Sequence, residues 1–378
     1  MKLEGALVTA ANLSLEHLGH SGSTEPESVV LALTHAFPLL SDGVRRDLNY
    51  DALVMIMIQA MISREGYQNG HFLEPINVEV KQTTGNMFDW SAHSSSFVQL
   101  QRVAAKPFVS SMGPLSRLIA HAVENLRDPR RILEVRDHLT AFSENLFTLW
   151  QRNKLSEVDP SEETTFLTPE TLRVTFPALW QLLKATMFAV VVVLRAIIGR
   201  TLIDPILSSK VLAPATASHA LVTLQHLYFI SSRLGANAFS AYTFVNMTSI
   251  DILSRYPLEA RDFLRKIHPS QAGHIPAHPL LRNLDLFYLN TSEHFTLALS
   301  PADSDSLIIT TASPYLNPNA NAHLLEIFEA AHSATLAVLA APQNADLTAK
   351  VIPFYVESLF NSFPKNLSPA SSALRSKH

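Results

Sequence analysis

The run Ala185 to Leu194, Ala-Thr-Met-Phe-Ala-Val-Val-Val-Val-Leu, limits the possible folds of this chain more than any other segment. Lys184 precedes it, and Arg195 and Arg200 follow. Ten helical residues rise about 15 Å, half of a bilayer's hydrocarbon core, so the run predicts a buried central helix rather than a membrane span. A helix docking on a membrane surface or a partner is the first alternative, and a full span the last. On this reading no segment is long enough to cross a membrane.

The rest of the chain supports a helical protein with surplus apolar surface. Only 16% of its 378 residues are charged and 47% are apolar, against roughly 25% charged in an ordinary soluble domain. With a net charge of −4, and Asp128 placed among Arg127, Arg130 and Arg131, there is no basic surface of the kind a phosphate backbone needs. Nucleic acid is therefore not expected as a partner.

The absence of cysteine removes disulfides, thiol nucleophiles and cysteine-bearing metal sites. Residues 1 to 18 carry Glu4, Glu16 and His17 and lack the apolar core of a secretory leader.

Helix signals recur along the chain. Thr24 with Glu27 forms a capping box ahead of a helix from about Pro26 to Phe37. Asp51 opens a helix that is apolar on nearly all sides, and further helices are expected at about 114–126 and 131–150. Thr168 and Pro169 start the long apolar helix, which runs to about Ile203. More helices follow at roughly 218–233, 238–255, 258–267, 280–289, 304–311, 320–341 and 347–360. Residues 68–97 read as loop, with only Ile76 to Val80 alternating in the manner of a strand.

The expected fold is all-α, an irregular helical bundle or α-solenoid-like stack with at most a minor β element. An N-terminal helical region spans 1–152, an acidic connector 153–168 and a C-terminal helical region 169–365. A disordered tail is expected at 366–378.

Catalytic signatures are absent. Neither G-x-x-x-x-G-K-[ST], G-x-G-x-x-G nor G-x-S-x-G occurs. Asp303-Ser304-Asp305 is the nearest approach to a magnesium-binding acidic motif and reads better as a helix cap. His17 and His20, three apart, could share a helix face but lack the H-E-x-x-H order and read as surface histidines, while His268, His274 and His278 lie in a Pro-rich loop that leaves ligand geometry undetermined and read as structural. No catalytic residue, cofactor or metal is expected. The polar turn Asn290, Thr291, Glu293 and His294, flanked by Phe287 and Phe295, is the candidate partner-binding site.

That turn lies in Leu286 to Thr296, and this segment, together with Glu326 to Asn344, resembles the fungal peroxin-8 proteins. Ser116 to Asp128 and Trp150 to Glu157 add to the similarity, which extends over about residues 20 to 365. The resemblance implies a helical, non-enzymatic scaffold on the matrix side of the peroxisomal membrane. It would associate peripherally, without a transmembrane helix, bridge the docking complex and the RING ubiquitin-ligase complex, and engage the import receptors for matrix proteins. A generic cytosolic helical adaptor and an all-helical enzyme are the alternatives.

Members of that family are typically longer and commonly end in a tripeptide of the S-K-L type. Here Ser376-Lys377-His378 forms a degenerate targeting tripeptide, with histidine where leucine would enter an apolar pocket, and a truncated or alternatively terminated product is expected.

Overall fold

The computed structural model describes residues 2–17, 25–83, 85–234, 239–316 and 324–362. Thr24, His20, the tail 366–378 and the tripeptide Ser376, Lys377 and His378 lie outside them. The longer helices are α1 (Lys2–His17), α2 (Glu25–Ala36), α3 (Tyr50–Ile62), α4 (Ser95–Ala104), α5 (Met112–Asn125), α6 (Pro129–Gln151) and α7 (Phe176–Ile203). They continue with α8 (Leu212–His226), α9 (Ser240–Leu253), α10 (Pro257–Lys266), α11 (Pro279–Ser292), α12 (Leu325–Ala340) and α13 (Ala345–Ser362). Among the described residues the β structure is one two-stranded antiparallel pair, β1 (Lys81–Gln82) with β2 (Phe88–Asp89), so the fold is all-α as expected.

The chain forms two compact units, Met1–Ser249 and Ile250–His378. This division does not fall at the acidic segment 153–168, which is packed within the first unit. Leu155, Val158 and Leu167 are buried there. Asn153 Nδ2 donates to the Leu73 carbonyl at 3.2 Å, and Lys154 Nζ to the Val80 carbonyl at 2.8 Å. Its acids stand beside these three inward-turned apolar residues, which lie toward the two ends of the segment.

In the first unit α7 is the central element. Leu179, Leu183, Val190, Val191, Leu194 and Ile197 are all fully buried, and α5 packs along the helix. A π turn at Thr171–Thr175 extends it at the N-terminus. The resulting helix, Thr171–Ile203, has 33 residues and an apolar window of mean hydropathy 2.1, so by length and composition it could cross a membrane. The expectation from the ten-residue run was too short, because Leu179 to Leu183 and Ala196 to Ile203 prolong the apolar character at both ends. Of that window, 67% is buried inside the protein, as a core helix requires.

The stretch expected as a loop, 68–97, is largely structured. Leu73–Glu79 is a short helix rather than a strand. Leu73, Ile76 and Val80, spaced three and four apart, are buried while Val78 is 77% exposed, so helical spacing prevails over the apparent alternation. Glu79 then accepts from the Ser96 amide at 2.8 Å and the Ser95 hydroxyl at 2.5 Å, satisfying the start of α4. These bonds hold its carboxyl down at about 2.

Trp90, fully buried, ties this stretch to the π turn. Its amide donates to Thr171 Oγ1 at 2.7 Å, its carbonyl accepts from Thr175 Oγ1 at 2.9 Å, and its indole donates to Ser96 Oγ at 2.8 Å. The π turn therefore places two threonine hydroxyls on one tryptophan backbone.

In the second unit α12 is the hub, packed by α11, α13 and the turns between Glu293 and Leu316. Ile327, Phe328, Ala331, Ala334 and Val338 supply its buried side. His332 Nδ1 lies 3.1 Å from the Tyr355 hydroxyl of α13 and its ring meets Phe328 edge-on, which accounts for a histidine in this core. Asp303-Ser304-Asp305 does not cap a helix by its carboxylates alone. Ser300 Oγ accepts from the Asp303 amide at 3.1 Å, and Asp303 answers by accepting from Ser300 Oγ at 2.7 Å and pairing with Arg265.

Candidate functional site

The polar turn singled out in the sequence sits where α11 passes into a 3-10 turn, Glu293–Ala298. Phe295 and Ser292 are fully buried and fix the turn against α12. Gln343 Nε2 donates to the Thr296 carbonyl at 2.8 Å and the Leu299 carbonyl at 3.3 Å, closing the far side.

The structure separates the four candidates. Asn290 and His294 are exposed and Glu293 is half-buried, whereas Thr291 is buried and belongs to the core. Glu293 and His294 are within 3.7 Å of each other, an ion pair when the imidazole is protonated. With Leu297, which is 74% exposed, Asn290, Glu293 and His294 follow the i, i+3, i+4, i+7 spacing of one helix face. The turn presents a short mixed stripe: an amide, a carboxylate, an imidazole and one aliphatic side chain.

A second surface, in the first unit, was missed in the sequence. At the end of α7 and in the loop to α8, Leu202, Ile203, Ile206 and Val211 are 51%, 77%, 58% and 75% exposed. Asp204 is the acidic residue within this loop and is occupied locally. It accepts from the Ile206 and Leu207 amides and pairs with Arg200 at 3.0 Å. Burial works against its charge, but those bonds outweigh it and hold the carboxyl below its ordinary value. Arg200 also donates to the Glu124 and Leu126 carbonyls, so the loop's base is clamped to the end of α5. What remains outward is mainly aliphatic, with Ser208 and Lys210 beside it. The available signal was Leu-Ile-Asp-Pro-Ile-Leu, apolar residues placed around a helix-ending proline where polar ones are the rule.

Among the described residues no three His, Asp or Glu side chains gather as a metal ion would need. The buried acid of the second unit, Asp285, accepts a hydrogen bond from the Tyr315 hydroxyl and faces packed side chains.

Fold and surfaces together define an all-α helical protein with a polar turn in one unit and an exposed aliphatic cluster in the other. Three family descriptions match the chain: the peroxin-8 protein-like N-terminal domain at residues 1–45, the PEX8 helical domain at 92–241 and the PEX8 central TPR-like domain at 260–340. The chain belongs to the peroxin-8 family. The helical and TPR-like matches fall on either side of the boundary between the two compact units.

Among curated relatives, "Peroxisomal membrane protein PEX17" of Yarrowia lipolytica is 29% identical over 49% of this chain. "Peroxisomal biogenesis factor 8" of Komagataella phaffii is 27% identical over 50%, and the protein of the same name from Komagataella pastoris gives the same figures. Each alignment covers 29% of the relative's own length, so this chain spans less than a third of them. No solved structure matches.

Proposed function

We propose that this chain is a non-enzymatic scaffold in peroxisomal matrix-protein import. It stands on the matrix side of the peroxisomal membrane in peripheral association, bridges the docking and RING ubiquitin-ligase complexes, and engages the import receptors. Family membership supports a role in peroxisome biogenesis. The observation that carries the scaffold reading is the uncovered aliphatic cluster Leu202, Ile203, Ile206 and Val211, set on a rigid base by Arg200. Such a cluster loses free energy only when another molecule covers it. The stripe Asn290, Glu293, His294 and Leu297 is proposed as a second contact, with Thr291 supporting it from the core.

Tagged chain expressed in fungal cells should co-purify docking and RING peroxins. Ile203→Glu with Ile206→Glu should abolish that recovery while leaving thermal unfolding of the purified chain unchanged, since both positions are exposed. Glu293→Ala with His294→Ala should weaken recovery of one partner set. Recovery of cytosolic proteins alone would replace this reading with that of a generic adaptor.

A further inference from the structure

The chain just after α3 holds a strained turn. Gln68, Asn69 and Gly70 have φ of 52°, 50° and 85°, three consecutive residues in the left-handed region. Glycine takes that conformation freely and asparagine tolerates it, but a glutamine there costs free energy. Hydrogen bonds hold the run in place. The Gln68 amide donates to the Ser63 carbonyl at 2.8 Å, the Gly70 amide to the Tyr67 carbonyl at 2.9 Å, and Asn145 Nδ2 of α6 to the Asn69 carbonyl at 2.6 Å. Gly70 lies against α6, where a Cβ would come within 3.2 Å of the Leu146 Cα.

Asn69-Gly70 is also the one Asn-Gly pair in the sequence. In such a pair no Cβ shields the amide nitrogen that follows the asparagine from its carboxamide. Asn69 is exposed, so water reaches it.

We propose that Asn69 is a site of spontaneous deamidation and that the turn 67–70 gates it. In the reaction the Gly70 amide nitrogen, its proton lost to hydroxide, attacks Asn69 Cγ. A C–N bond forms, the Cγ–Nδ2 bond breaks and ammonia leaves. Water then opens the five-membered imide at either carbonyl to give aspartate or isoaspartate, so asparagine and water are consumed and acid and ammonia are produced. In the closed turn the nucleophile is withheld. Its N–H is bonded to Tyr67, and Asn69, with ψ of 26°, must swing that amide round to face its own side chain. Opening the turn frees it, and the strain at Gln68 makes opening easier. Isoaspartate then lengthens the main chain by one carbon, so the three left-handed residues no longer fit between Tyr67 and Leu146. The gate works in one direction. This modification stands independently of the scaffold role proposed above.

Conversion raises the mass of the peptide that contains Asn69, so peptide mapping of the full-length chain in mildly alkaline buffer follows it. Asn69 should convert about a hundredfold more slowly in the folded chain than in the chain unfolded by guanidinium. Asn145→Ala removes the bond that pins the turn and should speed conversion in the folded chain about fivefold. Gln68→Gly relieves the strain and should slow it about fivefold. Neither variant should change the rate in the unfolded chain. If Asn145→Ala fails to fold, Gln68→Gly decides alone. Equal rates in folded and unfolded chain, or a folded variant whose rate does not move in its stated direction, would overturn the gate. An unfolded chain in which other asparagines convert and Asn69 does not would overturn the site.

Discussion

The Tyr315 hydroxyl donates to the Asp285 carboxylate at 2.5 Å, with both residues buried in the second unit. Burial pushes the Asp285 carboxyl up to about 6, against the pull of the Tyr315 hydrogen bond. Burial also raises the Tyr315 hydroxyl, and the neighbouring carboxylate adds to the rise, so the tyrosine stays a donor.

This pair makes the stability of the second unit dependent on pH. The Asp285 carboxyl is higher in the folded state than its ordinary 3.8. Its contribution is therefore complete below about pH 4 and is lost as the pH rises through about 6, to the extent of about 3 kcal/mol. Asp285→Asn should flatten thermal stability between pH 4 and 7. Tyr315→Phe should cost about 1 to 3 kcal/mol at pH 7.5, where a buried carboxylate loses its donor, and less at pH 4. Melting curves across that range test both, and a Tyr315→Phe cost that does not vary with pH would argue against a charged Asp285.

Gly66 lies where the chain folds back over the end of α3, and the Tyr67 amide reaches the Met61 carbonyl at 2.9 Å. A Cβ at position 66 would sit 2.0 Å from the Met61 carbonyl oxygen and 2.4 Å from that of Ala60. Both are backbone atoms, so no side-chain rotation relieves the clash. Gly66→Ala should lower stability by about 2 to 4 kcal/mol in urea unfolding, whereas Gly113→Ala, which meets only the end of a flexible arginine at 3.8 Å, should be near neutral.

Val191 is fully buried in the middle of α7. Val191→Asp places an unpaired carboxylate in the apolar core of the first unit, at a cost of several kcal/mol against a net stability of roughly 5 to 15. Helical content should fall on purification, with unfolding concentrated in residues 1–249. Normal thermal unfolding would show that α7 is not a core helix.

Much of this architecture was legible wherever a local signal and the packing agree. Thr168 with Pro169 marks the start of the long helix, and the Thr171 amide reaches back to Thr168 Oγ1 at 3.4 Å. α6 begins two residues before the expected 131, at Pro129, where Asp128 accepts from the Arg130 amide at 3.0 Å. The misreadings came where tertiary contacts decide. Ile76 to Val80 alternates in composition, yet burial of residues 73, 76 and 80 makes it helical. Residues 153–168 carry their acids beside buried Leu155, Val158 and Leu167, which polarity alone does not show.

The candidate site was half legible. Asn290, Glu293 and His294 do share an outward face, but Thr291 differs from them only by one step around the helix and so points inward. The aliphatic cluster at 202–211 could not be separated from the core helix by composition, because exposure is a property of the fold.

Arg233 lies over the Trp180 ring at 3.9 Å and the Phe176 ring at 5.5 Å, and it pairs with Glu163. Burial depresses its guanidinium, partly offset by Glu163. The acidic stretch is therefore pinned to the start of the long helix by a cation wedged among aromatic rings. A protease that cuts near Glu163 would nick the chain without releasing a fragment, and cleavage there would be a poor guide to where this molecule comes apart.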